Sequence, residues 1–287
     1  MEYIHWNPDS EIFSFLGFSI RWYGLLWAFG LLGTAAVVSK INRNSPTKLK
    51  VEQLFFLFYY CLFGTLIGAR LGHCIFYGAD YFFSSWTHFI EIFLPIRIYP
   101  DGSLKYIGYA GLASHGGVIG LAVAFWIFCK QFSVKLLFVL DTVAYAAPFC
   151  AMMIRLGNLM NSEIIGCPTT VPWAFIFDSV DSQPRHPAQL YEAMFYGLVF
   201  IVGVLLYKKN TFFSKSFGTG FYFGYCITTI FTFRFFIEFL KEVQEDFERT
   251  MILDMGQLLS IPIIHVGLYF LFISLYKKKK NCSMAYN

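Results

Sequence analysis

Arg155-Leu156-Gly157-Asn158-Leu159-Met160-Asn161-Ser162-Glu163-Ile164-Ile165-Gly166 closes an apolar run, Leu136 to Ile154, of the length and character of a membrane span. These twelve residues place one guanidinium, two carboxamides, one carboxylate and two glycines at the edge of hydrocarbon. An Arg at a span centre costs about 2.5–3.5 kcal/mol on insertion scales, and a chain that carries such a group usually has a polar ligand or pathway at that depth. Arg155 and Asn158 are three apart and share a face if the helix continues that far. Two readings of the block stay open. It is a ligand site, or it is a helix end capped by Asn158 and Asn161, with Gly157 and Gly166 serving the turn.

The composition extends the membrane reading to the whole chain. Of 287 residues, 57% are hydrophobic and 14% charged, against about 25% charged in a soluble domain. The net charge of +4 is small, and its placement matters more than its size, so no nucleic-acid partner is expected. Seven cysteines (Cys61, Cys74, Cys129, Cys150, Cys167, Cys226 and Cys282) show neither CxxC nor Cys/His spacing. They imply no disulfide framework and no metal site. Met1 to Asp9 lacks the basic segment and apolar core of a cleavable signal peptide.

Spans of about 20 apolar residues are expected at Ile20–Val38, Leu54–Tyr77, Ser114–Cys129, Leu136–Ile154, Leu190–Tyr207, Gly218–Leu240 and Gln257–Tyr276. Phe13–Phe18 and Phe89–Leu94 are too short to span and suit an interface. The expected fold is therefore an all-α polytopic membrane protein of seven transmembrane helices, one domain over 1–287. Lys40, Arg43, Lys48 and Lys50, then Lys130 and Lys135, then Lys208, Lys209 and Lys215, then Lys277 to Lys280 fall on one side of such a bundle. The positive-inside rule makes that side cytoplasmic, with the N-terminus outside and the C-terminus inside.

The unusual polar residues then share the opposite depth. Tyr23 opens the first span there. Arg70 sits seven residues before the outer end of the second, about 10 Å deep by helical rise. His115 opens the third, and Arg155, Asn158 and Glu163 close the fourth. Arg185, His186, Gln189 and Glu192 open the fifth, and Arg234 and Glu238 close the sixth. Several arginines at headgroup depth suit a phosphate, because a guanidinium binds it bidentately and stays charged. Structural alternatives accompany each. Arg234 and Glu238 are i,i+4 neighbours and pair simply on that account. Arg70 serves as partner to a carboxylate elsewhere, and His115 as a hydrogen-bonded core residue rather than a general base. Next to His115, Gly116 and Gly117 allow close backbone approach to a ligand. Gly-x-Ser-x-Gly, His-Glu-x-x-His and phosphate-loop patterns are absent, so hydrolytic and nucleotide-driven chemistries lack support. A phospholipid transporter or a lipid-binding membrane protein is the competing class. The mostly apolar inner halves of the spans argue against a transport path through the midplane.

Seven motifs in order give the chain a family resemblance. They are Arg21-Trp22-Tyr23-Gly24-Leu25, Gly68-Ala69-Arg70-Leu71-Gly72, Ser114-His115-Gly116-Gly117, the Arg155–Gly166 block, Arg185-His186-Pro187-Ala188-Gln189-Leu190-Tyr191-Glu192, Phe233-Arg234 with Glu238-Phe239, and Met255-Gly256-Gln257-Leu258-Leu259-Ser260-Ile261-Pro262. Along almost its whole length the chain resembles the bacterial prolipoprotein diacylglyceryl transferases. The resemblance implies a seven-helix bundle of the bacterial cytoplasmic (inner) membrane. Its small periplasmic head elements would lie near 78–113 and 161–189, with the active site facing the periplasm. It implies transfer of the diacylglyceryl group of phosphatidylglycerol to the thiol of a lipobox cysteine in a preprolipoprotein signal peptide, with release of glycerol phosphate. No metal or cofactor is implied. On the matched positions, His115, Arg155 and Arg234 would be catalytic, His115 as base and the arginines against the phosphate charge. Tyr23, Arg70, Asn158, Asn161, Glu163, Gly166 and Glu238 would serve substrate binding, Tyr23 and Asn158 at the headgroup and Glu163 orienting an Arg. The chain departs from the family pattern at Ile154, Leu159 and Ile230, where Gly, Phe and Tyr are usual. The last departure removes a hydroxyl from the site.

Overall fold

The computed structural model describes residues 3–15, 18–45, 48–94, 96–99, 102–106, 111–208, 216–242 and 251–284. In chain order the helices are α1 (Trp22–Asn44), α2 (Val51–Phe76), α3 (Ala79–Phe82), α4 (Trp86–Ile90), α5 (Ser114–Phe132), α6 (Leu136–Met160), α7 (Ala188–Lys208), α8 (Phe221–Ile237) and α9 (Met255–Met284). Among the described residues, α1, α2, α6, α7, α8 with its 3-10 extension, and α9 are long and apolar enough to cross a membrane. α5 adds a shorter apolar stretch, Gly116–Phe132. The chain is thus a polytopic membrane protein. α1 outruns its expected end at Val38 by a turn and a half, because no breaker intervenes before Ser45, which precedes Pro46. α9 likewise continues through the Lys277–Lys280 run.

Outside these helices the expectation of an all-α chain is corrected. β1 (Ile4–Trp6) pairs in parallel with β6 (Phe175–Phe177), which pairs antiparallel with β7 (Pro184–Arg185). β2 (Glu11–Phe15) and β3 (Phe18–Arg21) pair antiparallel with Glu11 opposite Arg21, and β4 (Ile96–Ile98) pairs with β5 (Leu104–Tyr106). Strands of two to five residues are too short to carry a period-2 signal. Of the segment Phe13–Phe18, expected to lie at an interface, residues 13–15 belong to β2 and Phe18 to β3, and residues 16 and 17 lie outside the described residues.

The chain forms two compact units, Thr47–Val139 and Met1–Pro46 with Leu140–Asn287. In the first, α2 lies against α5. Gly64, Gly68 and Gly72, spaced four apart, meet Gly116, Gly120 and Ala124 at the same spacing. A Cβ on Gly72 would stand 2.7 Å from Gly116 Cα, and one on Gly68 2.7 Å from Gly120 Cα. This is small-residue packing of membrane helices, in which missing side chains let backbones touch. It also gives Gly116 a packing role, where the sequence suggested room for a ligand. Arg70 is buried in this unit. Its Nε donates to the Ile92 carbonyl at 3.2 Å and its Nη2 to the Glu91 carbonyl at 2.7 Å, and its guanidinium lies 5.0 Å from the Phe82 ring centroid. Buried Glu91 in turn accepts from Tyr81 Oη at 2.9 Å and from the Ile98 N–H at 2.7 Å. Arg70 thus anchors the segment between α3 and β4 to α2.

In the second unit α8 and α9 approach at Gly224 and Gly267. A Cβ on Gly224 would stand 2.8 Å from the Gly267 carbonyl oxygen. The start of α8 is capped from another helix. The carboxylate of Asp141 on α6, fully buried, accepts from the N–H groups of Gly218 (2.7 Å), Gly220 (2.9 Å) and Phe223 (2.9 Å). Those are donors that a helix N-terminus leaves orphaned. α9 caps itself by a reciprocal box. Asp254 Oδ1 accepts from the Gln257 N–H at 2.8 Å, and Gln257 Oε1 from the Asp254 N–H at 3.2 Å.

Candidate active site

The site is built where α6 ends, α7 begins and α8 ends. α6 stops because Ser162 turns left-handed at φ 53°, with its N–H on the Leu159 carbonyl and the Glu163 N–H on the Asn158 carbonyl. Ile164 is also left-handed, at φ 56°. For a β-branched residue that is a strained conformation, costing about 1–3 kcal/mol and kept only where neighbours over-determine it. The neighbours here are backbone. The Gly166 N–H donates to the His186 carbonyl (2.9 Å), the Cys167 N–H to the Leu240 carbonyl (2.8 Å) and the Glu242 N–H to the Ile165 carbonyl (3.1 Å). A Cβ on Gly166 would stand 2.5 Å from the His186 carbonyl oxygen and 2.7 Å from that of Leu240. Gly166 is therefore the point where three chain segments are clasped, and no other residue fits there.

Charge is organised around Glu192, fully buried on the first turns of α7. Arg155 Nε lies 3.0 Å from Glu192 Oε2, an ion contact too bent for a hydrogen bond, so that oxygen carries none. Lys241 Nζ (3.3 Å) and Tyr196 Oη (3.0 Å) donate to Glu192 Oε1. Arg155 Nη1 donates to Asn158 Oδ1 at 3.2 Å. Asn158 Nδ2 donates to Glu163 Oε2 at 3.1 Å, and Asn161 Nδ2 to Glu163 Oε1 at 3.2 Å. Arg155, Asn158, Glu163 and Asn161 thus form one chain of contacts. Tyr23 joins them from α1. Gly157 makes the room, since a Cβ there would stand 2.9 Å from the Tyr23 ring, and both Arg155 and Glu163 act electrostatically on the Tyr23 hydroxyl.

Arg234 projects from the last turn of α8, after Phe233, whose ring stacks on Phe195 of α7 at 4.0 Å and 6°. Arg155 and Arg234 both act on the Tyr196 hydroxyl. The simple Arg234–Glu238 pair is not formed. Glu238 Oε2 accepts from Lys241 Nζ at 3.0 Å, and the carboxylate rests on Gly256 of α9, where a Cβ would lie 2.8 Å from it. Arg234 has no hydrogen-bond or ion-pair partner among the described residues. His115 opens α5, but its side chain lies outside the described residues. Arg70 belongs to the other compact unit and is engaged there as described above.

Beside the clasp, Arg185 meets Asp181 at 2.6 Å, donates to the Gly166 carbonyl at 3.2 Å and pairs with Glu242. The Arg185 hydrogen bonds hold the Asp181 carboxyl below the usual carboxylate range. Burial pushes the His186 imidazole down, and pushes the Cys167 thiol up. Cys167 Sγ donates to the Lys241 carbonyl at 2.9 Å.

Comparison with known proteins shows the family of the chain. Residues 10–273 match the family model described as prolipoprotein diacylglyceryl transferase. The chain is 52% identical over 278 residues to the phosphatidylglycerol–prolipoprotein diacylglyceryl transferase of Bacteroides fragilis, covering 97% of each. It is 39% identical over 273 residues to the enzyme of that name from Chloroherpeton thalassium (95% and 94%) and 37% over 280 to that of Tolumonas auensis (96% and 100%). The chain belongs to the prolipoprotein diacylglyceryl transferase family. As a diacylglyceryl transferase it has at this candidate site two residues that the sequence reading did not single out, Lys241 and Tyr196, the latter inside the expected fifth span. Gln189 is fully buried with Oε1 unpartnered among the described residues. In the sequence, the three-residue step from Glu238 to Lys241 was the signal for an ion pair competing with Arg234.

Proposed function

We propose that this transferase works in the bacterial inner membrane with its site on the periplasmic side. The protein transfers the diacylglyceryl group of phosphatidylglycerol to prolipoprotein, the first step of lipoprotein maturation. The observation that carries the mechanistic reading is the pair of arginines at the ends of α6 and α8, one locked by Glu192 and Asn158, the other without a hydrogen-bond or ion-pair partner among the described residues. The acceptor is the thiol of the lipobox cysteine. Its sulfur attacks the glycerol carbon that bears the phosphodiester; the S–C bond forms as that C–O bond breaks, and glycerol phosphate leaves. The thiol proton passes to His115 and from there to the departing phosphate. A base is needed because a thiol of pKa about 8.5 is mostly protonated at neutral pH. Arg234 and Arg155 stabilise the charge that grows on the leaving phosphate. Tyr23 and Asn158 flank the headgroup, Glu163 and Asn161 hold Asn158 in line, and Gly166 and Glu238 shape the wall.

Seven spans with the N-terminus outside fit the basic segments between helices. That orientation brings the ends of α6 and α8 and the start of α7 to the periplasmic surface, where secreted substrates arrive. The family match crosses both compact units, which supports a single transferase domain over 1–287. The test is mass spectrometry of a lipobox peptide incubated with purified protein and phosphatidylglycerol vesicles, beside the same peptide with Cys changed to Ser. A diacylglyceryl adduct on the Cys peptide alone is expected. No adduct from folded protein would shift the reading to lipid binding or transport.

A further inference from the structure

The carboxylates nearest the end of α8 are Glu192 and Glu238, and the cations there are Arg155, Lys241 and Arg234. Each carboxylate is held: Glu192 by Arg155 (3.0 Å) and Lys241 (3.3 Å), Glu238 by Lys241 (3.0 Å). Lys241 is buried to 3% side-chain exposure and touches both carboxylates at once. Among the described residues Arg234 is the cation of this group with no hydrogen-bond or ion-pair partner. Its natural partner is Glu238, four residues on along the same helix end, yet the Glu238 carboxylate is turned to Lys241 and seated on Gly256.

We propose that Lys241 is a positioning residue that keeps Glu238 off Arg234, so that the Arg234 guanidinium stays open for the substrate's phosphate. The inference rests on the phosphoryl reading of the site given above. A guanidinium already paired with a carboxylate would have to give up that partner before it could take up a phosphodiester. Lys241 suits the task because its backbone is fixed too. The Lys241 N–H donates to the Glu238 carbonyl at 3.0 Å, and the residue bridges to Gly166 in the clasp. Its ammonium therefore reaches Glu192 and Glu238 from a rigid base.

The test compares Lys241→Met, Lys241→Arg, Glu238→Gln and the double variant Lys241→Met/Glu238→Gln in phosphatidylglycerol nanodiscs. The readouts are transfer to a lipobox peptide and the dissociation constant for phosphatidylglycerol. K241M frees Glu238 to pair with Arg234; transfer is expected to fall at least about tenfold, with phosphatidylglycerol affinity falling by a similar factor. K241R keeps the cation and stays within about threefold. The double variant removes the competing carboxylate and returns to the level of E238Q alone. A merely structural Lys241 would give losses that follow the folded fraction and that E238Q does not restore, which overturns the proposal. So does a K241M protein that matches the unmodified one. If K241M fails to insert, Lys241→Gln, which removes the cation and is too short to reach Glu238 as the ammonium does, carries the same expectations. If the unmodified protein forms no adduct, the transferase reading fails separately. The affinity series then decides alone, and equal phosphatidylglycerol affinity in all variants refutes the role given to Lys241.

Discussion

Replacing Glu192 by Gln tests the centre of the charge cluster. The carboxylate is fully buried and lies 3.0 Å from Arg155 Nε and 3.3 Å from Lys241 Nζ. At an effective dielectric of about 20, each contact is worth roughly 5 kcal/mol of gross attraction, most of it offset by desolvation of the ions. Removing one member of a buried pair while the other stays typically costs about 3–5 kcal/mol. Lys241 retains Glu238, so the lower figure applies, about 3 kcal/mol, or roughly 6 °C in a chain of this size. Arg155 loses the carboxylate that fixes its Nε edge, and a misplaced donor at a developing charge costs about 100-fold or more in turnover. Unfolding can be followed in detergent with a thiol-reactive dye, since Cys74 and Cys226 are buried, and transfer by peptide mass. A Glu192→Gln protein melting within a degree of the unmodified one, with turnover within twofold, would refute the hub role.

Arg234→Lys keeps charge but loses the planar fork, and transfer measured on peptide is expected to drop about 100-fold or more with folding unchanged. Asp141→Ala strips three backbone N–H groups of their acceptor at the start of α8. It should cost about 2–4 kcal/mol in an unfolding titration while turnover per folded molecule holds. Gly68→Leu forces a side chain into the backbone of α5, with an expected loss of about 3 kcal/mol or failure to insert, read from yield and melting temperature. The depressed Asp181 carboxyl contributes stability above its ordinary value of 3.8 that is lost as pH falls through its lower folded value. The gap in melting temperature between unmodified protein and Asp181→Asn should therefore be present at pH 7 and narrow only as pH falls below 3.8.

The membrane helices were legible because a 20-residue apolar run is a strong signal, and Arg155, Asn158 and Glu163 stood out as polar groups where hydrocarbon was expected. The short strands were not, since Ile4–Trp6 and Phe175–Phe177 find each other across 170 residues of chain and carry no local pattern. The partner of Glu238 stayed open in the sequence for a related reason. Spacing offers both Arg234 and Lys241, and only the fold, by seating the carboxylate on Gly256, selects between them. Gly116 next to His115 suggested a ligand, whereas its close neighbour is α2. Spacing alone does not tell a backbone that meets a substrate from one that meets another helix.

The most direct measurement is a product balance. Purified protein in phosphatidylglycerol nanodiscs would be given a lipobox peptide, with thioether adduct counted by mass and released glycerol phosphate by phosphorus NMR. The account predicts one glycerol phosphate for each diacylglyceryl thioether, and neither product with Arg155→Ala. Glycerol phosphate without thioether, thioether without glycerol phosphate, or full activity in Arg155→Ala would contradict it.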